Sequence, residues 1–261
     1  MLRIYACLAN EHDIRFVAFA VGICLLSSLT ALGLAKHVQQ LEAARRLRWL
    51  LLTGYVTGVG IWATHFVAML AYQPNLPTAY SPLATTFSVV VSIAMAAFGW
   101  LLRFSGRRHA RFEAPLVMAA GIAAMHYIGM SALQTQGTLA YDPRSAVLAL
   151  GSAGLLTALA LGWDGKRPLR HGLLRAIALT LAICTLHFGS MAAVTIMPAS
   201  GIAIPAQALP REQLSLGVAA AVLILLCIAV FAVTMDVRVR NTADEVSRML
   251  SRDPLTGVLN T

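Results

Sequence analysis

Seven long stretches of the chain are predominantly apolar and contain no charged residue, which leaves few possible folds. They cover residues 16–35, 49–71, 83–102, 114–135, 145–163, 176–197 and 213–235. A helix of about 20 apolar residues crosses the hydrocarbon core of a bilayer. The stretches lack the alternation typical of a membrane barrel. Because charged residues make up only 12% of the chain, seven buried helices of a soluble protein would have almost no polar surface. We therefore predict an all-α membrane protein with seven transmembrane helices.

The basic residues predict the orientation of these helices. Of the 20 Lys and Arg residues, sixteen fall in the loops after helices 1, 3 and 5 and in the segment after helix 7. The opposite side has only Arg3, Arg15, Arg144 and Arg211. Because short basic loops stay in the cytoplasm, we expect the N-terminus outside and the C-terminus inside. The net charge of +9 then reflects topology, and no basic patch with interleaved aromatic residues indicates nucleic-acid binding.

A repeat of 61 residues places one histidine in the second helix of each of three helix pairs. Each histidine is followed at once by an aromatic residue and four positions later by a methionine. The three pairs are His65 with Met69, His126 with Met130, and His187 with Met191. We therefore predict three copies of one helix pair plus a seventh output helix. Because the three histidine-bearing helices run in the same direction, we expect their histidines to meet at one depth in the outer half of the bundle.

The chemistry of these side chains predicts a metal site. Residues at i and i+4 share a helix face, and Gly54 and Gly58 on the same face favour its close packing inside the bundle. Imidazole is the commonest metal ligand and thioether sulfur is soft, so a His/Met set favours copper, particularly Cu(I). The predicted ligands of one or two copper ions are His65, Met69, His126, Met130, His187 and Met191. His12 and Cys184 are possible further ligands.

Other interpretations of the same residues remain open at this point. A membrane histidine is more often a packing residue than a ligand, and methionine at helical spacing is more often core filler. A duplicated packing motif without metal is therefore one alternative. A haem-binding membrane protein with paired axial histidines is a second. A small-solute transporter or channel is a third, and it would need polar residues along the whole bundle axis. A structural anchor that only dimerises an output domain is a fourth.

The histidine segments resemble the MHYT family of bacterial integral membrane sensors. The resemblance covers about residues 10–235 and rests on Met125-His126-Tyr127-Ile128 with Gly129-Met130, and on the related segments at His65 and His187. It implies a multi-pass protein of the bacterial inner membrane, with a periplasmic N-terminus, that senses oxygen, nitric oxide, carbon monoxide or a redox state through copper. The first and third copies have Thr64 and Leu186 in place of methionine, and Phe66 and Phe188 in place of tyrosine. The ligand role is therefore carried over only to each histidine and the following methionine.

The end of the sequence indicates a signalling output. Residues 253–260, Asp-Pro-Leu-Thr-Gly-Val-Leu-Asn, resemble the opening of GGDEF domains, which make cyclic di-GMP. Residues 236–252 have the spacing of a short coiled-coil linker, which predicts a homodimer through helix 7 and the linker. We thus divide the chain into an outer segment 1–15, a sensor domain 16–235, a linker 236–252 and a GGDEF-like start 253–261.

The residues predict a sensor and not an enzyme. The chain contains no Ser/His/Asp set, no phosphate-binding glycine loop with lysine and no paired carboxylates. We expect the membrane part to detect a diatomic gas or a redox ligand and to signal to a covalently linked GGDEF/EAL-type domain. A parent protein containing that domain would be a diguanylate cyclase, a cyclic di-GMP phosphodiesterase, or both.

Overall fold

The computed structural model describes residues 7, 9–38, 41–162, 170–199 and 201–250. Seven long helices form the described part of the chain, and each is long and apolar enough to cross a membrane. They are α1 (Ile14–Val38), α2 (Ala43–Ala71), α3 (Pro82–Arg103), α4 (Ala110–Ser131), α5 (Pro143–Gly162), α6 (Arg170–Met191) and α7 (Arg211–Leu250). This architecture confirms the predicted seven-helix membrane fold.

Four short strands join the helix pairs at one end of the bundle, which we call the strand end. They are β1 (Thr78–Tyr80), β2 (Leu133–Thr135), β3 (Gly137–Tyr141) and β4 (Val194–Pro198). Strands β1 and β2 pair antiparallel, as do β3 and β4. Each strand pair therefore connects neighbouring helix pairs just beyond α2, α4 and α6. The opposite end, where the arginine-rich connections lie, is the basic end.

The predicted spans and the observed helices differ at their boundaries. The fourth and sixth apolar stretches extend to residues 135 and 197, whereas α4 ends at Ser131 and α6 at Met191. Their last residues enter β2 and β4 instead, because an apolar composition suits a short strand over the core as well as a helix. Helix α7 continues to Leu250, through most of the predicted linker. The GGDEF-like residues 253–261 lie outside the described residues.

Helix α2 lies inside the bundle, and glycine makes its close packing possible. A Cβ atom added at Gly58 would be 2.5 Å from the Ile93 Cα atom of α3, and one at Gly54 would be 2.4 Å from the Ala97 Cα atom. The Ser92 hydroxyl donates a hydrogen bond to the Gly58 carbonyl at 2.7 Å. The small-residue face that we predicted for close packing is therefore the contact between α2 and α3.

Candidate metal centre

The three repeated histidines meet inside the bundle. The Nδ1 atom of His65 is 3.0 Å from that of His187 and 3.3 Å from that of His126. Their ring centroids lie 5.0–5.3 Å apart, and each side chain is at most 3% exposed. The parallel course of α2, α4 and α6 puts equal positions of the repeat at one depth. The predicted convergence is confirmed.

The nitrogen spacing fits a single metal ion. Three nitrogens at about 2.0–2.1 Å from one ion, in tetrahedral or trigonal geometry, are about 3.3–3.6 Å apart. The two measured Nδ1 separations of 3.0 and 3.3 Å lie at or just below that range. Among the described residues, these histidines form a group whose ligand atoms all lie within 4.8 Å of one another. The donor set therefore suits a borderline or soft transition metal.

Packing holds the histidine rings in place. Each ring makes an edge contact with the aromatic residue that follows it, at 4.8 Å for Phe66, 5.1 Å for Tyr127 and 4.9 Å for Phe188. The three Nε2 atoms are buried and have no hydrogen-bond partner among the described residues. The orientation of the Nδ1 atoms towards one another thus depends on the shape of the surrounding core.

Gly129 of α4 provides space for the His65 ring. A Cβ atom at Gly129 would be 2.4 Å from the His65 Nε2 atom and 2.8 Å from its Cδ2 atom. Only a residue without a side chain lets the imidazole lie against the α4 backbone here. The role of Gly129 was not predicted from the sequence. The available signal was that this glycine follows His126 by three positions on the same helix.

The repeated methionines lie one helical turn closer to the strand end. Met69 and Met130 are fully buried and Met191 is 2% exposed. Their positions at i+4 place each on the face of its own histidine. The three methionines thus lie buried one turn from the histidines, on the side of the centre nearest the strands.

His12 lies near the centre without joining it. Its ring contacts Tyr72 at 5.2 Å and Phe188 at 5.6 Å between centroids. The Nδ1–H group donates to the Cys7 carbonyl at 2.9 Å, which leaves Nε2 as the nitrogen with a free lone pair. Burial lowers the pKa of the His12 imidazole from its ordinary value, which favours the neutral ring. This is the state that a metal ligand requires.

Cys184 faces another helix. It lies close to Cys24 of α1, and it is not in the group formed by the three histidines among the described residues. Cys184 precedes His187 by three positions, slightly less than one helical turn. The two side chains therefore leave α6 in somewhat different directions. Of the two possible extra ligands, His12 therefore lies over the site and Cys184 lies beside it.

A cavity opens above the centre at the strand end. It has a volume of about 600 Å³, and its lining includes Glu11, Gln73, Asn75, Thr195 and Met191. Four of these side chains are polar, whereas Met191 belongs to the repeated His/Met set. The lining of the cavity therefore combines polar side chains with one predicted ligand residue.

Arg211 joins the first turn of α7 to the end of α2. Its guanidinium donates to the Tyr72 carbonyl at 3.2 Å, to the Thr78 hydroxyl at 3.3 Å and also to the Leu70 carbonyl. These carbonyls end the helix that carries His65, and a cation at a helix C-terminus is favoured by the helix dipole. In the sequence Arg211 contributes only to the charge count. Its contact with Tyr72 joins residues 139 positions apart and therefore leaves no local signal.

Comparison with known proteins identifies the repeat. The MHYT family profile, described as a bacterial signalling protein N-terminal repeat, matches residues 58–114 and 120–177. The two matches contain His65 and His126. These two stretches therefore match MHYT repeats, as the sequence resemblance predicted for these two copies. The third copy, at His187, lies outside these two matches. It is assigned from the 61-residue spacing and from the meeting of its histidine with the other two.

The chain is similar to bacterial signalling proteins over most of its length. An uncharacterized signaling protein of Caulobacter vibrioides is 34% identical over 99% of this chain and 32% of its own length. The bifunctional diguanylate cyclase/cyclic di-GMP phosphodiesterase MucR of Pseudomonas aeruginosa is 31% identical over 94% of this chain and 37% of its own length. The cyclic di-GMP phosphodiesterase NbdA of the same organism is 33% identical over 77% of this chain and 27% of its own length.

These matches define a class of protein. The seven apolar helices and the MHYT match together indicate a multi-pass membrane protein that is similar to bacterial signalling proteins. The chain spans about a third of the length of the first two of these relatives. No solved structure matches it.

Proposed function

We propose that this protein is a membrane sensor whose input is a copper centre built on His65, His126 and His187. The observation that carries the proposal is the meeting of three buried Nδ1 atoms from three parallel helices. The ligand would be a diatomic gas or a redox change at the metal, and the response would pass to a cyclic di-GMP domain. The cyclic di-GMP relatives MucR and NbdA support this output.

Copper is the metal that the donor chemistry favours. The centre offers imidazole nitrogens and, one turn away, the thioethers of Met69, Met130 and Met191. Thioether ligands select Cu(I) over the hard cations that prefer oxygen. Because the three histidines are almost fully buried, a metal that they held would be shielded from water. With three protein ligands it would keep a coordination position for a small neutral ligand.

The geometry favours a bare metal ion over haem. In the described core the rings of His65, His126 and His187 are in direct edge contact, at 5.0–5.3 Å between centroids. A porphyrin between any two of them would need the helices to separate. Their close contact therefore supports a single metal ion held by the three rings over a haem between two of them.

Large buried side chains towards the basic end oppose a transport path. Trp100, Met118, Ile122, Leu161 and Leu179 are each less than 2% exposed. A channel would need polar groups and space along this half of the bundle. The packing of the core supports a site reached from the strand end only, through the 600 Å³ cavity beside Met191.

Signals would leave the centre through α2 and α7. Met69 lies one turn after His65, and its carbonyl accepts a hydrogen bond from the Tyr80 hydroxyl at 3.2 Å. The next carbonyl along, that of Leu70, accepts from Arg211 at the start of α7. A shift of α2 at the metal thus reaches α7 through direct hydrogen bonds. A difference of about 1–3 kcal/mol in ligand affinity between two states suffices for such a switch.

Metal analysis of the purified protein tests the centre. We expect stoichiometric copper in the wild type, and His126→Ala should abolish or strongly weaken its binding. Met130→Leu should weaken binding because Met130 shares the His126 face, whereas Met125→Leu should do little because that side chain points about 100° away. Leucine keeps the side-chain volume, so a loss reports ligation. Equal copper content in the folded wild type and the folded His126→Ala variant would refute the proposed copper centre.

Hydrogen exchange around the start of α7 tests the output path. Copper should slow exchange near residues 209–215 in the wild type, and Arg211→Gln should remove that response without removing copper. Arg144→Gln is the matched control, because Arg144 begins α5 at the same end of the bundle and is exposed. An unchanged copper response in Arg211→Gln would show that the signal takes another route.

A further inference from the structure

Two free cysteines, Cys24 of α1 and Cys184 of α6, lie on two helices that contact each other beside the histidine centre. Cys24 is fully buried and Cys184 is partly exposed. A single buried cysteine is usually an inert, small apolar residue of the core. The arrangement here differs because Cys184 lies on the helix that contacts Cys24, one turn after Thr180.

The register of the two helices aligns the thiols. Helices α1 and α6 are antiparallel, and the Thr180 hydroxyl donates to the Ser28 hydroxyl at 3.4 Å. Cys24 is four residues before Ser28, and Cys184 is four residues after Thr180. Both are therefore one turn from that hydrogen bond, on the same face and in the same direction, towards the strand end. The Cys24 thiol also lies 4.0 Å from the Thr180 carbonyl, which accepts the Cys184 amide within the helix.

The spacing of packed helices permits a covalent bond at this position. Helix axes in contact are about 8–10 Å apart and the Cα atoms lie about 2.3 Å from each axis, so facing Cα atoms are about 3.4–5.4 Å apart. A disulfide spans about 4.4–6.8 Å between Cα atoms. Small side chains on both helices (Cys24, Ser28, Thr180 and Cys184) keep this contact close.

We propose that Cys24 and Cys184 form a redox-active pair that a peroxide converts into a disulfide between α1 and α6. The sulfur of the more accessible Cys184 attacks one oxygen of hydrogen peroxide, which becomes a sulfenic acid on Cys184 and one water. The sulfur of Cys24 then attacks the Cys184 sulfur and releases a second water. Two thiols lose two electrons and two protons, and one peroxide is reduced to two waters. A thiol reductant reverses the reaction.

The bond would connect the first helix pair directly to the third. Cys184 lies three residues before His187 on α6, and Cys24 lies close to Thr64, the neighbour of His65 on α2. The disulfide would thus join α6, which carries His187, to α1, the partner of the His65-bearing helix α2 in the first helix pair. Oxidant exposure and the histidine centre would both act on α6, although formation of the disulfide requires no metal.

Mass spectrometry of oxidised protein tests the pair. The protein, with Cys7→Ser and Cys227→Ser so that only the pair remains, is reduced, freed of metal with a chelator and treated with hydrogen peroxide. It is then quenched, denatured and alkylated. We expect both thiols to be protected from alkylation, a loss of two hydrogen atoms from the intact mass, and a linked peptide containing Cys24 and Cys184. Dithiothreitol should restore both thiols.

Single variants assign the order of the two steps. Adding Cys24→Ser should leave Cys184 as a sulfenic acid that dimedone traps, whereas adding Cys184→Ser should leave Cys24 open to alkylation after denaturation. Two alkylatable thiols in the peroxide-treated pair-only protein, or oxidation of Cys184 to a sulfinic acid with no linked peptide, would refute the proposal. Because this background retains both cysteines and no metal, its result is separate from that of the copper test.

Discussion

Helices α2 and α7 have opposite positions in the bundle despite similar roles as membrane spans. In the most apolar window of α2, 83% of the residues are buried inside the protein, against 17% in α7. Yet α7 is the more apolar of the two. Lipid solvates apolar side chains well, so a strongly apolar helix gains little by moving from lipid to the interior. Position in this bundle is decided by small and polar residues.

Contacts of single residues show the same difference. Gly58 of α2 lies against the α3 backbone, and Thr57 accepts a hydrogen bond from the Trp100 indole at 2.9 Å. On α7, Gly217 has no atom within 4 Å of an added Cβ, and the Thr234 hydroxyl bonds only its own helix, to the Phe231 carbonyl. The interior helix therefore uses Gly58 and Thr57 for contacts between helices, whereas Gly217 and Thr234 of the peripheral helix make no such contact with the described residues.

The largest expected effect compares the same substitution on the two helices. Gly58→Ala should prevent normal packing, because the new methyl group would lie 2.5 Å from the backbone of Ile93 and backbone atoms cannot give way cheaply. Gly217→Ala should be neutral or stabilise its helix by up to about 1 kcal/mol. Fluorescence-detected size-exclusion chromatography with thermal unfolding measures both. An equal loss of folded protein in the two variants would show that the interior and peripheral glycines are equally important for packing.

A smaller effect should be confined to the centre. Gly129→Ala should push the His65 ring aside, because the Cβ atom would be 2.4 Å from Nε2, and the end of a side chain can move where a backbone cannot. We expect a roughly 10- to 100-fold loss of copper affinity with the fold retained, as for other displaced ligand supports. Gly33→Ala on α1, which meets no atom within 4 Å, is the control. Unchanged affinity would mean that His65 is no ligand.

The smallest expected effect concerns one hydrogen bond in the membrane interior. Thr57→Val leaves the Trp100 indole N–H without its partner, and such bonds between membrane helices contribute about 0.6 kcal/mol, with a maximum of about 1.7. Thr234→Val on α7 should change stability by less than that, since no second helix is involved. Equilibrium unfolding of each variant in mixed micelles gives the difference. A larger loss for Thr234→Val than for Thr57→Val would contradict the comparison.

The spans and the centre differ in how far sequence could predict them. The seven spans follow from local composition, and the meeting of His65, His126 and His187 follows from equal spacing on helices of equal direction. The strands β2 and β4 were missed because short apolar segments at the end of a helix carry no periodic signal. The ligand roles of Met69, Met130 and Met191 remain predictions, since burial on the right face is compatible with packing as well.

By itself, the sequence determined that this chain spans a membrane as three related helix pairs and a seventh helix, with one histidine per pair at one depth. Only the tertiary structure decided that the three Nδ1 atoms point at one another, that Gly129 makes room for His65, that Arg211 joins α7 to the end of α2, and that Cys24 lies close to Cys184. The reason is physical. Hydrophobicity and repeat length act along one helix, whereas these contacts depend on the rotation and register of two helices, which are set by packing across the whole bundle.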